Sequence, residues 1–190
     1  CILVINGNQI PKETELVEML IKKYPNIKTI VKNINTKNTN VILGLENINI
    51  YGNGYIEDKL GEYKFKISPL SFYQVNPIQT EILYNTAIKF ATNDTNETAK
   101  TIALDLYCGI GTIGICSAKH FKKIYGIEIV KQAIDDAKEN AKLNNLQNTE
   151  FYAGDVEEVL PEILKDIENK PETVFVDPPR KGLDNKTIDV

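Results

Sequence analysis

The stretch LDLYCGIGTIG, Leu104 to Gly114, narrows the possible folds more than any other part of the chain. It sets Gly109, Gly111 and Gly114 at GxGxxG spacing directly after the apolar run Thr101 to Leu106, so a buried strand must turn sharply into a helix. Such turns belong to sheets in which strands and helices alternate, with bare backbone at the bend and unpaired N–H groups opening the helix. The bend suits a dinucleotide and S-adenosylmethionine equally, or a close-packed helix entry with no ligand at all.

The pattern around it agrees. After SPLSFYQVNP, helices and short apolar strands alternate: helix Ile78 to Phe90, strand Thr101 to Leu106, helix Gly111 to Lys119, strand Lys123 to Glu128. Helix Val130 to Leu143 follows with Ile134, Ala137 and Ala141 on one face, then strand Thr149 to Ala153, helix Val156 to Leu164 and strand Thr173 to Val176. This alternation predicts a parallel α/β sheet. The linker Asn93 to Thr98 is polar and reads as mobile.

Residues 1–68 read differently, as a small α+β piece, with 69–190 forming the Rossmann-like domain. Cys1 opens inside the apolar run CILVING, which suggests a cut end. A helix is expected over Glu13 to Tyr24, and the runs IKTIVKNIN and TNVILGL, parted by Thr36 to Asn38, predict a hairpin. Strand-like pieces at Asn47 to Tyr51 and Tyr63 to Ile67 complete a small sheet.

With 190 residues, of which 42% are hydrophobic, the chain can bury a real core. It has neither an apolar run of the roughly 20 residues needed to cross a bilayer nor a signal-peptide pattern, so a cytoplasmic setting is expected. Cys1, Cys108 and Cys116 form no disulfide framework, and no Cys/His spacing points to a metal. The net charge of −4 does not advertise nucleic-acid binding, although a local basic patch could still provide it.

Carboxylates decide between the ligands. Asp105 lies inside the glycine motif, where it would repel a pyrophosphate and favour the sulfonium and ammonium of S-adenosylmethionine; an ordinary helix cap is its plainer role. Glu128 follows Gly109 by 19 residues and closes YGIE, where an acid receives ribose hydroxyls. Asp155 ends FYAGD, placed to accept from an adenine amino group, and Asp177 ends VFVD at another strand end. Any one of these acids could be a solvated loop residue.

Together LDLYCGIGTIG, YGIE, FYAGD and DPPR resemble a class I methyltransferase, and SPLSFYQVNP with DPPRKG narrows the resemblance to the RNA uracil-5 methyltransferase family, which makes 5-methyluridine in tRNA or rRNA. The resemblance spans Ile67 to Leu183; residues 1–66 are similar, less distinctively, to part of the family's middle domain. It implies a class I sheet incomplete at its C-terminal side, S-adenosylmethionine as cofactor, and RNA as partner, with no obligate protein partner evident. It also implies donor contacts by Gln74, Tyr107, Gly109, Glu128, Asp155 and Asp177. For Gln74 a helix cap remains open, and for Tyr107 core packing. Thr112 could bond the donor's methionine part or its own backbone. Arg180, the sole arginine, could meet RNA, or pair with Asp184.

In the family it resembles, a cysteine adds to carbon 6 of uracil so that carbon 5 can attack the methyl group, and a glutamate removes the proton. The family's Ser-Cys-Asn-Pro segment and its glutamate would lie beyond Val190. No catalytic residue is assigned within these 190 residues, and the piece alone is expected to be inactive. Cys108 and Cys116 read as packing residues, His120 as a helix C-cap. The alternatives are an amino-group methyltransferase, weakened because Arg180 replaces the aromatic of that motif, an NAD oxidoreductase, disfavoured by Asp105, and a donor-binding module without catalysis.

Overall fold

The structure is a computed structural model and describes residues 1–92, 101–167, 170–180 and 182–183; the linker Asn93 to Thr98 and Asp184 lie outside them. Two compact units are present, one of residues 1–57 and 67–70, the other of residues 58–66 and 71–190.

In the first unit, β1 (Ile2–Ile5) pairs in parallel with β2 (Ile30–Ile34), and α1 (Glu13–Lys23) connects them. β2 also pairs antiparallel with β3 (Glu46–Tyr51). The hairpin expected between IKTIVKNIN and TNVILGL does not form: residues 39–45 are irregular, and β2 pairs with the segment beyond them. Side chains take over the hydrogen bonds that a ladder would have made. Asn33 receives the Gly44 N–H at 2.7 Å and donates to the Gly44 carbonyl at 2.8 Å, while Asn35 donates to the carbonyls of Val41 and Ile42. These contacts hold the run as a loop and leave Val41, Ile42 and Leu45 exposed.

The second unit contains the expected parallel sheet. β6 (Ile102–Leu106), β7 (Lys123–Glu128), β8 (Thr149–Ala153) and β9 (Thr173–Val176) lie in the order β8-β7-β6-β9, all parallel. Their carboxyl ends, Leu106, Glu128, Ala153 and Val176, therefore point the same way. Strand β6 is buried throughout because helices cover both faces. On one face Leu104, Leu106 and Ile127 meet Val156, Leu160 and Ile163 of α5 (Val156–Asp166). On the other, Ala103, Ile124 and Phe175 meet Ala118 and Phe121, with Ala87 and Ala91 of α2 (Pro77–Thr92) packed beside them. Each large apolar side chain so buried contributes about 1.5 to 3 kcal/mol.

The helix after the glycines is shorter than its sequence suggests: α3 covers Thr112–Ser117 and tightens into a 3-10 turn, Ala118–His120. His120 does not cap it. The Asn148 side chain donates to the carbonyls of Ala118 and Phe121 at 2.8 Å each. A further hairpin joins β4 (Ile56–Leu60), which the sequence reading lacked, to β5 (Tyr63–Ile67). Asn140 of α4 (Lys131–Leu143) and Asn144, its C-cap, exchange hydrogen bonds with the backbone of Lys66 and Lys64, which explains two asparagines on an otherwise helix-forming segment.

Candidate functional site

Strand β6 ends at Leu106, and three of the next five residues have left-handed backbone. Tyr107 has φ of 63°, Gly109 of 54° and Gly111 of 78°. A left-handed tyrosine is a true outlier, and residues held this way cluster where a chain must present backbone to a ligand. The three glycines of the motif do different work. A Cβ on Gly111 would lie 2.8 Å from the Phe151 ring and one on Gly114 would lie 3.0 Å from Asp105 Oδ2, so these two permit close packing. A Cβ on Gly109 would meet nothing within 4 Å, which leaves its backbone facing open space.

A cleft opens there. Its wall runs from Phe72, Tyr73 and Gln74 through Tyr84 to Tyr107–Ile110, Thr112, Ile113 and Asp177. Of the expected contacts, Gln74, Tyr107, Gly109 and Asp177 thus come together in one wall. Asn76, not Gln74, caps α2: its Oδ1 accepts the Gln79 N–H at 3.2 Å and its carbonyl accepts the Thr80 N–H at 2.9 Å. Gln74 is left free to line the cleft.

Glu128 borders the cleft by holding the loop. Its Oε2 accepts the Gly109 N–H at 3.2 Å and its Oε1 the Val130 N–H at 2.9 Å, and a carboxylate so engaged keeps further lone pairs for a ligand. Asp155 is the N-cap of α5, its Oδ1 accepting the Glu157 N–H at 3.0 Å, which leaves Oδ2 without a part in that cap. Arg180 is exposed in the turn after Pro178 and Pro179.

Asp105 is 1% exposed, and its Oδ2 accepts the Gly114 N–H at 2.8 Å, so the acid ties the third turn position of α3 to the strand. Its Oδ1 is buried without a partner. Burial, reinforced by the negative charges of Asp177 and Glu128 against a smaller opposing effect of the Gly114 N–H, pushes its pKa up to about 7. Three acids therefore bear on one loop, and among the described residues no lysine or arginine lines the cleft. Such a site attracts a cationic ligand and repels a polyphosphate.

Both nearby thiols are buried. Burial raises the pKa of Cys108 well above its ordinary value, aided by Asp105 and Glu128, and raises that of Cys116 to about 12. Burial, with Lys119 beside it, lowers the His120 pKa. Among the described residues no His/Cys/Asp/Glu cluster could hold a metal, and no helix is long and apolar enough to cross a membrane.

The participant that sequence reasoning missed is Tyr84. It lies 5% exposed on α2, and its hydroxyl is 3.0 Å from Thr112 Oγ1. Thr112 thus has a partner that the sequence did not suggest, a phenol from another helix. The signal was present as the stripe Thr80, Tyr84, Ile88 and Thr92, spaced by four and buried on α2, in which a tyrosine needs a polar partner.

The profile of the tRNA (uracil-5-)-methyltransferase family matches residues 11–190. An uncharacterized RNA methyltransferase of Caldanaerobacter subterraneus subsp. tengcongensis is 48% identical over 187 residues, 98% of this chain and 40% of that protein. One from Clostridium acetobutylicum is 47% identical over 188 residues, again 98% and 40%. The chain therefore spans about 40% of the length of these relatives. Among solved structures, the Pyrococcus abyssi tRNA (uracil-54, C5)-methyltransferase in complex with S-adenosyl-L-homocysteine superposes with a TM-score of 0.70 at 26% identity, over 99% of this chain and 42% of that one. The M. jannaschii tRNA m1G37 methyltransferase, at 19% identity over 94% of this chain and 51% of that one and a TM-score of 0.53, shares the fold.

Proposed function

Because the chain belongs to the tRNA (uracil-5-)-methyltransferase family, we propose that its second unit holds S-adenosylmethionine for RNA methylation by the longer protein. The observation that carries this reading is the charge of the cleft: Glu128 and Asp177 bear on the buried Asp105, no basic side chain among the described residues lines the wall, and Gly109 leaves its backbone open. A sulfonium and an ammonium suit these acids, whereas the pyrophosphate of a dinucleotide does not. The bound donor supplies an electrophilic methyl group. Glu128 accepts from the ribose hydroxyls with the lone pairs that its two backbone bonds leave, the free oxygen of Asp155 accepts from the adenine amino group, and Tyr107 flanks the donor. Gln74 and Asp177 close the wall. Calorimetric titration with S-adenosylmethionine and with NADH tests the reading: the methyl donor binds more tightly, and tighter NADH binding overturns it. Glu128→Ala weakens the donor by about 1 to 3 kcal/mol.

The finer reading is methylation of uridine carbon 5 in a tRNA or rRNA by the longer protein, with Arg180 meeting the RNA. The family and the likeness to the Pyrococcus abyssi structure support it. Since Cys108 and Cys116 stay protonated thiols near neutral pH, residues 1–190 alone are expected to give no turnover. Incubating the full-length protein with labelled donor and unmodified RNA, then identifying the methylated nucleoside, decides the matter. A product methylated on nitrogen overturns the carbon-5 assignment. RNA bearing 5-fluorouridine at the target is expected to form a denaturant-resistant adduct with the longer protein.

A further inference from the structure

Resting on the donor-binding reading above, the geometry points to Tyr84 as a positioning residue that aims the Thr112 hydroxyl at the α-carboxylate of the methyl donor, making the cleft selective for a donor that carries that carboxylate. The donor's amino-acid end presents a difficulty to this site. Its ammonium suits the acids around Asp105, but the carboxylate attached to the same carbon does not, and the described wall offers no lysine or arginine to receive it. Neutral donors remain on the residues of that wall: the amide of Gln74 and the hydroxyls of Tyr73, Tyr84, Tyr107 and Thr112.

Two observations single out the pair. The Tyr84 hydroxyl lies 3.0 Å from Thr112 Oγ1, and either oxygen could donate. With the phenol donating, the threonine oxygen is filled on that side and its own hydrogen is left to point into the cleft. Burial and the neighbouring Asp105 and Asp177 push the Tyr84 pKa up to about 12 although Thr112 opposes this, so the phenol keeps its proton at any ordinary pH. The hydroxyl of Tyr73, a residue of the same wall, is buried with no partner. The bond also ties together the two segments that frame the cleft. Tyr84 rides on α2, directly after FYQVN, and Thr112 is the first residue of α3, directly after the glycines. The plainer role of Tyr84, a core tyrosine whose hydroxyl is merely satisfied by Thr112, makes the opposite prediction about ligand choice.

The experiment is calorimetric titration of the 190-residue chain with S-adenosylmethionine and with its decarboxylated analogue, which keeps the adenosine, the sulfonium and the amine. The unaltered chain is expected to prefer the intact donor by about tenfold or more, the worth of one good hydrogen bond to a charged group. Tyr84→Phe should weaken the intact donor by about tenfold while changing the analogue less than about twofold, and Thr112→Val should do the same. Thr112→Ser should restore the preference, and the double variant should lose no more than either single one. The ratio of the two affinities is read on one preparation, so a partly unfolded variant does not blur it. Equal weakening of both ligands, or an unchanged ratio in Tyr84→Phe, overturns the inference and leaves the donor-binding reading standing. An unaltered chain that binds neither ligand overturns both.

Discussion

The two units hold their sheets together by different chemistry. In the second, β6 is buried from end to end and apolar apart from Asp105, and the packing around it is a matter of shape, as at Gly111 against Phe151. In the first, the central strand β2 is buried with polar side chains on it and at Thr29 just before it. Thr29 donates to the Tyr51 carbonyl at 2.7 Å and accepts the Gly54 N–H at 2.8 Å, Lys32 pairs with Glu13 at 2.8 Å, and the fully buried Asn33 bonds Gly44 and Asn47. An apolar core resists changes of volume, while a buried polar network resists loss of a partner. The second unit adds one exception to its own rule, a buried acid with one oxygen left without a hydrogen-bond partner.

That exception gives the largest expected effect. Asp105 holds its proton up to about pH 7 in the folded chain but only to about 3.8 in a model peptide. Between those values the folded state binds more protons than the unfolded one, so this group makes stability fall as pH rises from about 4 to 7 and flatten above. Asp105→Asn, which keeps an acceptor for Gly114, should remove that fall. Relative to the unaltered chain it should be more stable at pH 8 by on the order of 3 kcal/mol, and little changed at pH 4, in urea melts compared across pH. An identical pH dependence in the two proteins would show that the site relieves the acid in some other way.

Gly111→Ala tests the packing side of the comparison. A methyl group 2.8 Å from the Phe151 ring, on a residue at φ of 78°, should cost about 2 to 3 kcal/mol, and a companion Phe151→Leu should recover part of it. Full tolerance of the alanine would mean that the second unit is packed less tightly than its glycines indicate. In the first unit, Asn33→Ala should cost about 1 to 2 kcal/mol by stranding the Gly44 N–H and carbonyl, and hydrogen exchange at Gly44 should accelerate. Smallest of all, Leu45→Ser should change stability by no more than about 0.5 kcal/mol, since Leu45 is 85% exposed; a larger loss would bring the loop into the core of the comparison.

How much of this is legible in the sequence depends on how local each decision is. All four strands of the parallel sheet, and the helices α2, α4 and α5, follow from apolar periodicity to within two residues, because a strand buried on both faces and an amphipathic helix each write their pattern into adjacent positions. The run TNVILGL carries an equally good strand pattern and is a loop, because Asn33 and Asn35, several residues earlier in the chain, capture its backbone. Nothing within the run marks that capture. His120 and Gln74 fail as caps for the same reason: the competitors, Asn148 and Asn76, reach the helix ends first.

The sequence by itself determined the family, the parallel α/β class and the strand ends at which Glu128, Asp155 and Asp177 stand, since each depends on spacing along the chain. Only the tertiary structure decided what those groups face. It buried Asp105 and left one oxygen unbonded, bent Tyr107 into left-handed backbone, and brought Tyr84 of α2 within 3.0 Å of Thr112. Burial, backbone strain and contacts between distant helices arise from packing in three dimensions, and a hydrogen bond between residues 28 positions apart has no period in the sequence to announce it.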